Sequence, residues 1–239
     1  MKVKQFLKCQ YWLSRSSYLI FMGVILTLYL LSMVLMMFIH EDGSSNGQDM
    51  AAIIFAFVMG IALCWDNLKM ALANGVSRRT VFTSTLLSSL IGSAVLTVFT
   101  LCCTQLFGSL LNAYSIYSFT YEGYAASPFL SILAQALWQM ALYFLSMMTG
   151  LLIAVIYYRL NKVATIAVSV GVPVFCFMVL PILFTLLPNL FTAFVSAFSK
   201  LFSFIARSPY HSCLVFLITA AVMAALSWLA MRRAPLRAQ

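Results

Sequence analysis

Six long apolar runs, at residues 18–39, 50–66, 81–110, 129–157, 163–187 and 210–231, alternate with short polar intervals. Apolar runs of about 20 residues cross a hydrocarbon core roughly 30 Å thick as helices. In lipid the backbone must satisfy its own hydrogen bonds, so helices or a closed barrel are the options. Barrel strands alternate apolar and polar positions, whereas these runs are continuously apolar. The pattern predicts an all-α integral membrane protein with six transmembrane helices in one domain, residues 1–239.

The intervals carry their own signals. Val3, Phe6, Leu7 and Tyr11 recur at helical spacing, with Lys2, Lys4 and Lys8 on other faces. Residues 1–17 therefore predict a basic interfacial helix leading into the first span, with a frayed tail as the plainer alternative. The interval 40–49 is rich in turn formers and predicts an external loop. Tyr114, Tyr117, Tyr121 and Tyr124 predict an aromatic belt at the external interface. Pro173 and Pro181 predict a bent fifth span, since each removes a helix hydrogen bond. Between the fifth and sixth spans, Leu190, Phe191, Phe194, Val195, Phe198, Leu201, Phe202 and Ile205 recur every three or four residues. Asn189, Thr192, Ser196, Ser199 and Ser203 share the opposite face. The interval 188–208 predicts an external amphipathic helix or hairpin rather than a seventh span. Small residues at Ser88, Ser89, Gly92 and Ser93, and at Ala220, Ala221, Ala224 and Ala225, predict close helix packing with an unspecified partner.

Charge orients this pattern. Only 8% of residues are charged against 64% hydrophobic, and 12 of the 14 Lys and Arg fall in intervals on one side. Lys200 and Arg207 are the exceptions, and four of the five acids fall on the other side. The positive-inside rule then places both termini in the cytoplasm. The net charge of +9 follows from topology and attraction to the inner leaflet, not from nucleic-acid binding. The first run is too long for a signal peptide, and no small-residue cleavage site follows it. The six cysteines show no ligand spacing and read as small apolar residues.

No P-loop, metalloprotease or nucleophile-elbow motif occurs, so no catalytic, cofactor or metal residue is assigned. A surface metal site at His40, Glu41, Asp42 and His211 is a minor alternative. The deep parts of the spans carry no ionisable group, with Asp66 at the inner end of span two. Any transport energy is thus expected from another polypeptide. One inside interval has internal structure. Asp66 to Ala73 can form a short helix, Asn74 and Gly75 suit its stop, and Ser77 suits the next N-cap. Residues 66–80 would form a rigid elbow able to pass force from a docked partner. The plainer alternative is a turn whose arginines obey the positive-inside rule.

Residues Gly75-Val76-Ser77-Arg78-Arg79-Thr80-Val81-Phe82 resemble the pattern that follows span two in type V ABC-exporter permeases. The basic leading helix, six spans and external segment are similar to that family over nearly the whole chain. The resemblance implies a permease without its own nucleotide site. Two such chains would pair as a homo- or heterodimer, over two cytoplasmic ATPase subunits that bind ATP and Mg. It implies ATPase coupling by Asp66, Asn67, Lys69, Asn74, Gly75, Ser77, Arg78 and Arg79. It implies an external gate at Phe191, Phe194, Phe198 and Phe202. Compact bacterial exporters of phenol-soluble modulins or lantibiotics are the most similar kind, implying a hydrophobic or amphipathic peptide cargo and the bacterial plasma membrane. The alternatives are a non-transporting assembly or immunity protein, or, more remotely, a membrane enzyme.

Overall fold

The computed structural model describes residues 3–39, 48–73, 75–111, 115–121, 127–186 and 188–232. All secondary structure among them is helical. Nine α-helices follow in order: α1 (Val3–Ile39), α2 (Gln48–Ala73), α3 (Arg78–Leu111), α4 (Ile116–Thr120), α5 (Pro128–Arg159), α6 (Lys162–Val174), α7 (Leu180–Leu186), α8 (Pro188–Ala206) and α9 (Pro209–Arg232). Among the described residues, five helical stretches are long and apolar enough to cross a membrane: Gln5–Val34, Arg78–Gly108, Pro128–Arg159, Val163–Leu183 and Pro209–Arg232. Within α2 the described apolar part is the shorter Asp49–Cys64.

The bundle is built around α5, which packs most closely on α2 and α9 and also meets α3. Its buried face runs through Gln139, Tyr143, Met147, Gly150, Leu151 and Ala154. Ala52, Ala56 and Gly60 place small residues every four positions on α2, and such a stripe lets two helix backbones approach. A Cβ on Gly60 would run into the Met147 carbonyl oxygen, and a Cβ on Gly150 into that of Phe57. This reciprocal glycine contact sets the α2–α5 distance. On α9, Ala220 and Ala224 are buried in the core that α5 contributes, whereas Ala221 and Ala225, of the same expected small stretch, are exposed.

Helix α1 is one element of 37 residues, about 55 Å long at helical rise. No break separates the expected interfacial helix from the expected first span. The serines near residue 15 disfavour a helix interior too weakly to end it. Phe6 and Gln10, a turn apart, are buried against the bundle, while Tyr11 is 55% exposed. The leading segment is therefore docked on α3, and Gln10 Nε2 donates to Thr85 Oγ1 at 3.1 Å.

The fifth hydrophobic run is helical throughout its described part and contains a π-helical turn, Phe175–Val179, lying between its two prolines. The Leu180 N–H reaches back to the Phe175 carbonyl, a wider loop than the α-helical one. A proline ring clashes with the carbonyl four residues earlier. The wide turn just before Pro181 provides the space. None of the most apolar stretch of Val163–Leu183 is buried inside the chain.

Candidate functional site

The elbow after α2 closes by a recognisable local geometry. Gly75 has φ +65, the left-handed conformation that ends a helix, where a Cβ would be strained. The Val76 N–H then bonds to the Ala71 carbonyl at 2.9 Å, which is the six-to-one bond of a Schellman stop. Ser77 begins α3: its Oγ accepts from the Thr80 N–H at 3.3 Å, and its carbonyl accepts from the Val81 N–H at 3.1 Å. Val76 is buried among Phe6, Ala71, Val81 and Met231, so the turn is plugged into the core where α1, α2, α3 and α9 meet.

The two arginines have separate places. Arg78 donates from one guanidinium nitrogen to the carbonyls of Arg232 (2.8 Å) and Met231 (3.3 Å), at the C-terminus of α9. A cation there satisfies orphan carbonyls and the negative end of the helix dipole. Arg79 is exposed and lines an open groove of about 330 Å3 with Phe82, Leu86, Ala225 and Trp228. The elbow is thus locked by Gly75, Val76, Ser77 and Arg78 and presents Arg79 outward. Asn74 and the side chains of Asp66, Asn67 and Lys69 lie outside the described residues. The backbone of 66–73 continues α2 without a stop, so the expected short separate helix is the end of that long one. No helix breaker stands between Cys64 and Ala73.

At the other end of α9 lies the amphipathic α8. Phe194, Phe198 and Phe202 are 55%, 55% and 66% exposed along one face, and the first two rings stand 5.6 Å apart. The Phe191 side chain lies outside the described residues. Ser196, Ser199 and Ser203 bond back to carbonyls three residues earlier, which lets hydroxyls sit on an apolar helix without free donors. Helix α8 is held near its C-terminus. Tyr121 Oη donates to the Ile205 carbonyl and meets Ser212 Oγ, both at 2.8 Å. The Phe204 ring packs edge-on to His211 at 4.6 Å. Ser208 then starts α9, accepting from the Tyr210 N–H at 3.3 Å.

Two expectations are corrected here. Tyr117 and Tyr121 are buried, packed with Trp138 and Phe216 rather than standing in an interface belt. Their neighbours are aromatic, and Tyr121 uses its hydroxyl to hold α8. Tyr114 and Tyr124 lie outside the described residues. Asp49, read as part of an external loop, is buried in the first turn of α2. Its Oδ2 accepts from the Ile116 N–H at 2.7 Å, and its Oδ1 accepts from Gln139 Nε2 at 3.5 Å. From Gln139 the polar chain continues to Thr100 (3.3 Å) and Tyr143 (3.4 Å). A sequence signal existed: an acid suits a helix N-terminus. Its burial depends on α4 and α5, which local pattern does not place.

Elbow and α8 are therefore joined through α9, whose 24 residues span about 36 Å. No protein-family model, curated protein or solved structure matches this chain.

Proposed function

We propose that the chain is the transmembrane subunit of an ATP-driven exporter, with six membrane spans and both termini cytoplasmic. In this reading α2 supplies the sixth span, its shorter apolar core continuing into a cytoplasmic end. A separate ATPase docks on the elbow, and two permease chains pair above two ATPase chains in the bacterial plasma membrane. The cargo is hydrophobic or amphipathic, a peptide by preference.

The observation that supports this most is the locked elbow with its connection to α9. A docking site that passes force must move as a unit with what it drives. The Schellman stop, the buried Val76 and the Arg78 bonds to α9 make the turn such a unit. The Tyr121 and Ser212 contacts tie the far end of α9 to α8, the element we assign as gate. Among the described residues of the elbow, Arg79 is an exposed cation available for an acidic partner surface.

The test is to inspect the adjacent reading frames for a P-loop ATPase and to co-express any such ATPase with this chain. The account predicts that the two co-purify and that the pair hydrolyses ATP faster than the ATPase alone. Separate elution with unchanged hydrolysis, or no ATPase frame in the neighbourhood, would remove the exporter reading in favour of a non-transporting membrane protein.

A further inference from the structure

A second feature, apart from elbow and gate, is a cavity of about 430 Å3 between α1 and α3. Its size falls within the ordinary range of small-molecule sites, about 300–1,000 Å3. On α1 it is lined by Lys8 and Arg15 towards the N-terminus, then by Leu19 and Met22. On α3 it is lined by Ser88, Ile91 and Val95. The Gln10–Thr85 bond fixes the register of the two helices. Along α1 the lining places Lys8 at the N-terminal end beside Leu7 and Tyr11, Arg15 midway, and Leu19 and Met22 beyond it. Tyr11 and Leu19, both more than half exposed, show that the cavity opens on the outer surface of the bundle and not into its interior.

The Tyr18 hydroxyl is packed against Gly92 and closed to solvent, so it does not face the cavity. An occupant that fits has an anionic head for Lys8 and Arg15 and a hydrocarbon tail.

We infer that this cavity is a binding site for one anionic phospholipid of the cytoplasmic leaflet. The inference uses the orientation proposed above but not the transport activity. Basic pockets between membrane helices on the cytoplasmic side take anionic headgroups. The lateral opening admits a lipid from the bilayer without any opening of the bundle. Positive-inside sorting accounts for the bases at this end. It does not account for a cavity of this size beside them.

Native mass spectrometry of the delipidated full chain, titrated with phosphatidylglycerol and separately with phosphatidylcholine, tests this. The expected result is saturable retention of phosphatidylglycerol at one copy per chain, with phosphatidylcholine at least tenfold weaker. Each near-surface base contributes about fivefold to attraction for an anionic lipid. Lys8→Gln with Arg15→Gln should therefore weaken retention by about thirtyfold. Arg159→Gln with Arg232→Gln, bases outside the cavity, should leave it within about twofold. Ser88→Phe should block the apolar half and abolish saturable retention, with the melting temperature measured alongside to show that the chain folds. If Ser88→Phe does not fold, the charge pair alone decides. Equal retention of the two lipids, equal loss in both charge variants, or full retention in Lys8→Gln/Arg15→Gln would overturn the assignment. So would displacement of the lipid by an anionic amphipathic peptide at comparable concentration, which would make the cavity a cargo site.

Discussion

Gly60 and Gly150 set the distance between the two most closely packed helices, and alanine at either position should push them apart. A Cβ on Gly60 meets the carbonyl oxygen of Met147, with the Met147 Cα and carbonyl carbon both 2.9 Å away. A Cβ on Gly150 meets the Phe57 carbonyl oxygen, with the Phe57 carbonyl carbon and the Ile61 nitrogen at 3.2 Å. Ordinary carbon contacts begin near about 3.5 Å. Every obstacle is backbone, so no side chain can rotate away. The helices must part by about half an ångström or more along a buried seam that includes Ala52, Ala56, Tyr143 and Met147. Overpacking of this kind costs about 1–3 kcal/mol. Alanine recovers up to about 1 kcal/mol through its better helix propensity. Each single variant should therefore lose about 1–2 kcal/mol, with Gly60→Ala the larger. The double variant should lose less than the sum, because one separation accommodates both methyl groups. Gly23 and Gly171 serve as controls, since a Cβ there would meet nothing within 4 Å. Reversible unfolding of the purified chain in mixed dodecyl-maltoside and SDS micelles reads all five variants. If Gly60→Ala and Gly150→Ala match Gly23→Ala and Gly171→Ala, the α2–α5 contact described here is wrong.

Further outcomes follow from single contacts. Asp49→Ala leaves the Ile116 N–H and the Gln139 amide unpaired and should cost about 2–4 kcal/mol in the same assay. Asp49→Asn keeps an oxygen for Ile116 and should cost about 1 kcal/mol; equal losses would mean that the bonds are not made. Tyr121→Phe removes the bonds to Ile205 and Ser212 and should raise amide exchange in α8 while α5 stays protected. Unchanged exchange in α8 would show that Tyr121 does not hold it. Arg78→Ala should speed exchange at the end of α9 and cost about 1 kcal/mol, whereas Arg79→Ala should do neither. Matching effects of the two arginines would contradict the division of roles.

What the chain discloses before folding depends on how local each signal is. The elbow was legible because a Schellman stop and an N-cap are written into consecutive residues, Gly75 and Ser77 among them. Five long apolar helices were legible because lipid demands long apolar runs, whereas the second run shows only a shorter apolar part among the described residues. The continuity of α1 was not, since three serines near Arg15 look like a boundary yet do not outweigh an uninterrupted run of backbone bonds. Asp49 and Tyr121 were misread for one reason: each sits at a membrane-edge position in sequence, and only the packing of α4, α5 and α9 buries it. The Gly60–Gly150 contact was invisible because each glycine alone is an ordinary residue of a membrane helix. The fold shows them facing backbone.

The proposed function has a separate ATPase working through the elbow, with Arg79 as an exposed contact. The direct measurement is ATP hydrolysis by the complex reconstituted in lipid vesicles, comparing the wild-type chain with Arg79→Glu. The account predicts that the chain stimulates the proposed partner ATPase and that Arg79→Glu removes most of that stimulation, with unfolding in SDS micelles unchanged. Equal hydrolysis with either chain would contradict coupling through the elbow.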